Sequence, residues 1–156
     1  MRVRSAVRQV LDRVWALGPM TREHPVQGAI RWIRANRLPG KGIVPYPGAD
    51  VATQEVTGYT IPSLYRVGEK ALARELARWE ASVQRPDGSV AAIDDVPYTF
   101  DTSQAARGFL AVVDDMPEME DHLRRACDYV ADQIDAAGVV HTPSYDTWRF
   151  ADGTML

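Results

Sequence analysis

Three segments of the chain follow one pattern at a nearly fixed spacing, and this internal repeat limits the available folds more than any single residue does. Ala29-Ile30-Arg31-Trp32 leads ten residues later to Gly42-Ile43-Val44. Leu76-Ala77-Arg78-Trp79 leads nine later to Gly88-Ser89-Val90, and Ala126-Cys127-Asp128-Tyr129 nine later to Gly138-Val139-Val140. The aromatic anchors Trp32, Trp79 and Tyr129 stand 47 and 50 residues apart. Beyond the glycines, Glu55-Val56-Thr57-Gly58-Tyr59 lines up with Phe100-Asp101-Thr102-Ser103-Gln104, and Leu64 and Val67 fall on Phe109 and Val112. Each unit therefore reads as helix, glycine turn, short extended segment with Val, loop and second helix. Such hairpins bury their apolar faces by stacking on their neighbours.

Helical periodicity supports this reading along the chain. Val3, Val7, Val10, Leu11 and Val14 predict an N-terminal amphipathic helix over 2–17, ended by Gly18-Pro19. Its arginines, Arg2, Arg4, Arg8 and Arg13, suit a transit peptide or a lipid surface. Asp12 and the lack of a small-residue cleavage site favour an ordinary surface helix. Further helices are expected at about 25–36, 57–67, 69–84, from 102 to beyond 113, and 118–136. Pro62 is expected to start or kink the third of these six, and Asp101, Thr102 or Ser103 to cap the fifth. No alternating strand pattern appears. The expectation is an all-α chain of helical hairpins, one domain over 1–156, with repeats at about 25–68, 69–116 and 117–156, the last unfinished.

Composition sets outer bounds. A chain of 156 residues, 46% hydrophobic and 25% charged, suits one soluble domain. Its longest aliphatic or aromatic run, Phe109 to Val113, is far short of the roughly 18 residues a bilayer helix needs. A net charge of −3 makes phosphate backbones poor partners, so nucleic-acid binding is not expected. The single cysteine, Cys127, points to a reducing, cytoplasmic setting. His24, His122 and His141 lack metal-ligand spacing, and no phosphate loop or nucleophile elbow is present. Neither a metal nor a cofactor is expected.

Val83-Gln84-Arg85-Pro86-Asp87-Gly88-Ser89-Val90 followed by Tyr98-Thr99-Phe100-Asp101-Thr102-Ser103-Gln104 resembles the repeats of the squalene cyclase and protein prenyltransferase superfamily, which fold as an (α/α) toroid. Glu55-Val56-Thr57-Gly58-Tyr59-Thr60-Ile61-Pro62 with Phe100-Asp101-Thr102 is similar to short toroid-like proteins of bacterial polysaccharide and lipopolysaccharide gene clusters. The resemblance spans about residues 26 to 150. It implies part of a toroid, a half-ring or open solenoid, acting on or binding a glycan or sugar-containing small molecule. Three hairpins are too few to close such a ring, so self-association or another chain is expected to complete it; the alternative reading is a non-catalytic helical-repeat scaffold that binds a pathway enzyme partner such as a glycosyltransferase or methyltransferase. Terpenoid cyclase-like chemistry is the third and least expected reading, and zinc-dependent prenyl transfer is disfavoured with it: Val90 replaces the repeat tryptophan, Ala92 breaks the Asp-x-Asp-Asp motif before Asp94-Asp95, and Arg125 replaces the zinc-binding Asp before Cys127.

In a toroid the loops entering the inner helices converge, which directs attention to residues there. Glu55 and Asp101 form a candidate catalytic pair for hydrolysis or epimerisation, which needs an acid and a base. The structural alternative has Asp101 capping its helix and Glu55 stabilising the positive end of its own. Tyr59, Tyr98 and Trp148, with Tyr145, are candidate stacking rings, while Gln104, Arg107 and Asp146 could bond hydroxyls or a carboxylate. His141 is a weaker candidate base. Trp32, Trp79 and Tyr129 recur at one helical position and are assigned to packing.

Overall fold

A computed structural model describes residues 25–142, and all of its regular structure is helical. The expected helix over 2–17, together with Tyr145, Asp146 and Trp148, lies outside the described residues. Five helices are present among those described: α1 Pro25–Ala35, α2 Gln54–Arg66, α3 Lys70–Val83, α4 Thr99–Val112 and α5 Met119–Asp132. The chain divides into two compact units, 1–32 and 33–156, with the boundary inside α1. Of the first unit, the described part is the start of α1.

α2 packs chiefly on α4, α2 and α3 form one hairpin, and α4 and α5 form another. Glycine sets the α2–α4 contact. A Cβ on Gly58 would stand 2.7–2.9 Å from the backbone of Gln104 and Ala105, and one on Gly108 would stand 3.0 Å from Ile61 Cδ1 and 3.2 Å from the Gly58 carbonyl oxygen. Residue numbers rise together along both helices in these contacts, so α2 and α4 run parallel, offset by about 46–47 residues. Pro62 neither starts nor ends its helix; α2 runs through it. Lacking an N–H, Pro62 leaves the Gly58 carbonyl without its intrahelical partner, and that carbonyl is the one facing Gly108.

The repeat recurs bond for bond. The amides of Leu38, Arg85 and Asp135 donate to the carbonyls of Gly42, Ser89 and Val139 at 3.1, 2.9 and 3.0 Å. Those of Lys41, Gly88 and Gly138 return to Leu38, Arg85 and Asp135 at 2.9, 3.0 and 2.9 Å. Successive turns are thus 47 and 50 residues apart, matching the anchors. These bonds also correct the first glycine. Gly42 is equivalent to Ser89 and Val139, and the positive-φ glycine of that turn is Gly40, at +67°. Gly42 is bare for another reason: a Cβ there would meet the Trp79 ring at 2.2 Å and Thr57 Oγ1 at 2.4 Å. The second and third anchors accordingly reach back to the preceding copy, Trp79 to Gly42 and Tyr129 through its hydroxyl to the Pro97 carbonyl at 2.9 Å.

The extended segments are pinned by a repeated threonine. Thr57 Oγ1 accepts the Ile43 amide (2.9 Å) and donates to the Thr53 carbonyl (2.7 Å). Thr102 Oγ1 accepts the Val90 amide (3.0 Å) and stands 3.2 Å from the Tyr98 carbonyl, its counterpart of Thr53. Both threonines are buried, as are Ile43, Val44 and Val90, which join Ile61, Leu64, Leu76, Phe109 and Val112 in the core. Copies are also stitched laterally. Arg37 pairs with Glu75, and 47 and 50 residues further on Gln84 accepts from Arg125 (3.1 Å), so the donor lies on opposite sides of the two equivalent contacts.

Two helix ends differ from expectation. α4 begins at Thr99 rather than near Thr102, with Tyr98 as N-cap and no side-chain cap bond, so Asp101 lies inside the first turn and does not cap it. α5 stops at Asp132 rather than about 136. The Asp135 carboxylate ends it by accepting the amides of Ala137 and Val139, both at 2.9 Å, which commits the chain to the third turn.

Candidate functional site

The parallel register of α2 on α4 carries directly into the first turns of both helices. Gly58 lies against Gln104 and Ala105; one turn earlier the same offset sets Gln54 and Glu55 beside Asp101. Glu55 is exposed, whereas Asp101 is 5% exposed and accepts no hydrogen bond from any described side chain. Burial, then the charges of Glu55 and Asp94, push the Asp101 carboxyl up to about 6. One carboxyl thus holds its proton toward neutral pH beside another that is freely solvated.

Tyr59 follows Glu55 by one helical turn and is 41% exposed. Burial and the Glu55 charge raise its phenol, keeping it a hydrogen-bond donor. Phe100, one full repeat after Glu55, is also exposed. Tyr98 is different: its ring is buried and its hydroxyl donates to Asp94 Oδ2 at 2.7 Å. It therefore shapes the loop before α4, where Asp94 Oδ1 also accepts the Val96 amide at 3.2 Å. Gln104 is buried, and its Oε1 accepts from Arg107 Nη1 at 2.7 Å, leaving Arg107 exposed one turn further along α4. His141 meets the first turn of α4 through its carbonyl, which accepts from Thr99 Oγ1 at 2.6 Å, while its ring Nε2 donates to the Asp135 carboxylate at 2.8 Å in the third turn.

Two acids in this neighbourhood were not singled out from the sequence. Asp94 is one, and its role in the loop could not be read before the loop's path was known. Glu80 is the other, at 0% exposure, with neither carboxyl oxygen hydrogen bonded. Burial, with the Asp101 charge added, pushes its carboxyl well above the usual carboxylate range. A signal for Glu80 was present: it shares a helical stripe with Leu72, Ala73, Leu76 and Ala77, a carboxylate in line with the core face of α3.

Among the described residues, no three His, Cys, Asp or Glu side chains converge in a way that could hold a metal ion, and no helix is long and apolar enough to cross a membrane. The site offers an acid, a neighbouring carboxylate and an accessible ring. No known family model matches the chain, and no curated protein matches it either.

Proposed function

We propose that the chain is a toroid-like, carbohydrate-binding or carbohydrate-modifying protein of bacterial polysaccharide biosynthesis, working at the first turns of α2 and α4. The observation that carries this reading is the α2–α4 register, which sets Glu55 beside Asp101 with Tyr59 exposed one turn away. Asp101, retaining its proton up to about 6, serves as the acid and solvated Glu55 as the base. Tyr59 offers its ring to a sugar face, and Arg107 orients hydroxyls or a carboxylate. Binding and turnover with a panel of nucleotide sugars and oligosaccharides test the reading. Glu55→Gln and Asp101→Asn are each expected to reduce turnover at least about a hundredfold, in the range of lost general acid or base catalysis. If neither altered binding or turnover, the site would be wrongly placed.

A second reading, a helical-repeat scaffold for a pathway enzyme or another copy of the chain, is favoured by one feature. An open, largely apolar groove runs between α4 and α5, lined by Ser103, Ala106, Cys127, Val130, Ala131 and Ile134.

A further inference from the structure

Around the first turns of α2 and α4, the side-chain polar atoms without a hydrogen-bond partner in the protein are oxygens. The Asp101 carboxylate receives no side-chain hydrogen bond, Gln54 Oε1 is buried without a donor, and both Glu80 oxygens lie in the interior without one. Glu55 adds a solvated carboxylate in register with Asp101. Among the described residues no ion pair reaches Glu55, Asp94, Asp101 or Glu80. Arg85 pairs with Asp95 at 2.6 Å, Lys70 and Arg74 share Asp115, and Arg107 serves the Gln104 amide.

The chemistry that answers such a set is a cation carrying several donors. A sugar hydroxyl supplies one donor and no charge. A primary ammonium supplies three donors and a positive charge, and it also gains from an aromatic face such as that of Tyr59. Glu80, whose burial favours its protonated form, adds no charge of its own to the pair. The fold leaves the pair uncompensated from within, so the compensation falls to a ligand.

We propose that Glu55 and Asp101 together take a primary ammonium group, so that the glycan recognised here carries an unacetylated amino sugar. The amino-sugar half rests on the carbohydrate reading; the ammonium half does not. The test is titration at neutral pH, followed by NMR or calorimetry, with a β-1,4-linked glucosamine tetramer, its fully N-acetylated counterpart and ethanolamine.

The deacetylated tetramer is expected to bind at least about tenfold more tightly than the acetylated one. That preference should be lost in Glu55→Gln and in Asp101→Asn, and kept in Asp114→Asn, which removes an exposed acid on another part of the surface. Glu55 is exposed, so its variant tests the idea even if Asp101→Asn disturbs folding. Equal binding of the two tetramers would overturn the ammonium site and leave the carbohydrate reading standing. Ethanolamine binding as well as the glucosamine tetramer would keep the ammonium site and remove the glycan. A preference equally lost in Asp114→Asn would reduce the effect to general surface charge and overturn the proposal.

Discussion

Glu80 occupies a position where any apolar side chain of similar size would avoid the cost of burying an unpartnered carboxyl. Glu80→Leu is therefore expected to stabilise the fold by about 1–3 kcal/mol, measured by urea unfolding near neutral pH. The pH dependence follows from the sign of the shifts. Asp101 and Glu80 both bind protons more tightly folded than unfolded. Their contribution thus favours the fold at acid pH. The Asp101 part declines as pH rises from 3.8 through about 6, and the Glu80 part declines as pH rises from 4.5 toward its raised folded value. Asp101→Asn should remove the Asp101 share of this decline, on the order of 1 kcal/mol after allowance for solvent screening, and Glu80→Leu the Glu80 share. Unchanged profiles in both variants would contradict the burial assigned to these acids. Glu55 and Asp101 stood out in the sequence because each lies near the start of one of the two matched segments. That Asp101 is buried inside a first turn was not, since it depends on α4 starting at Thr99, a boundary set by the extended Tyr98 and its bond to Asp94 rather than by a local capping residue.

Between elements, the closest contacts are made by residues without side chains. Gly58→Ala would drive a Cβ into the Gln104 and Ala105 backbone, which has no rotamer to yield. A cost of about 1–3 kcal/mol is expected. Spreading α2 from α4 should also draw Glu55 away from Asp101 and lower the Asp101 midpoint, observable by carboxyl NMR titration. Loss of stability with no change in that midpoint would separate the helix contact from the site. The repeated threonine gives a paired prediction: Thr57→Val and Thr102→Val each strand a buried amide, Ile43 or Val90, and each should cost about 1–3 kcal/mol in thermal or urea unfolding. Markedly unequal costs would argue against equivalent roles. The helices themselves were legible from their apolar spacing. Their ends were read less well where a side chain outside the helix decided them, as Asp135 does for α5. Gly42 looked like the turn glycine because glycine is the usual turn residue; the true constraint is the Trp79 ring, a tertiary contact 37 residues away.

At the scale of the whole molecule, the repeat was the most informative sequence feature, since it predicted the spacing at which the turn bonds recur; the packed hairpins, α2 with α3 and α4 with α5, straddle the expected repeat boundaries near 68 and 116. The open groove between α4 and α5 belongs to this scale too. If another copy of the chain uses it, light scattering at micromolar concentration should give more than one chain mass, and a large residue introduced at Ala106 should return the protein to a monomer. A strict monomer before substitution would count against self-association. The equivalence of the hydrogen-bonded turns has one more consequence. The junctions Arg37-Leu38 and Gln84-Arg85 occupy the same place in consecutive copies, with the same amide-to-carbonyl pair beginning just after each. They are natural splice points: a second copy of residues 38–84 inserted after Gln84 would meet its own threonine pin, its own glycine-sized gap and its own partner for the anchor, so the chain should lengthen by whole modules without new chemistry.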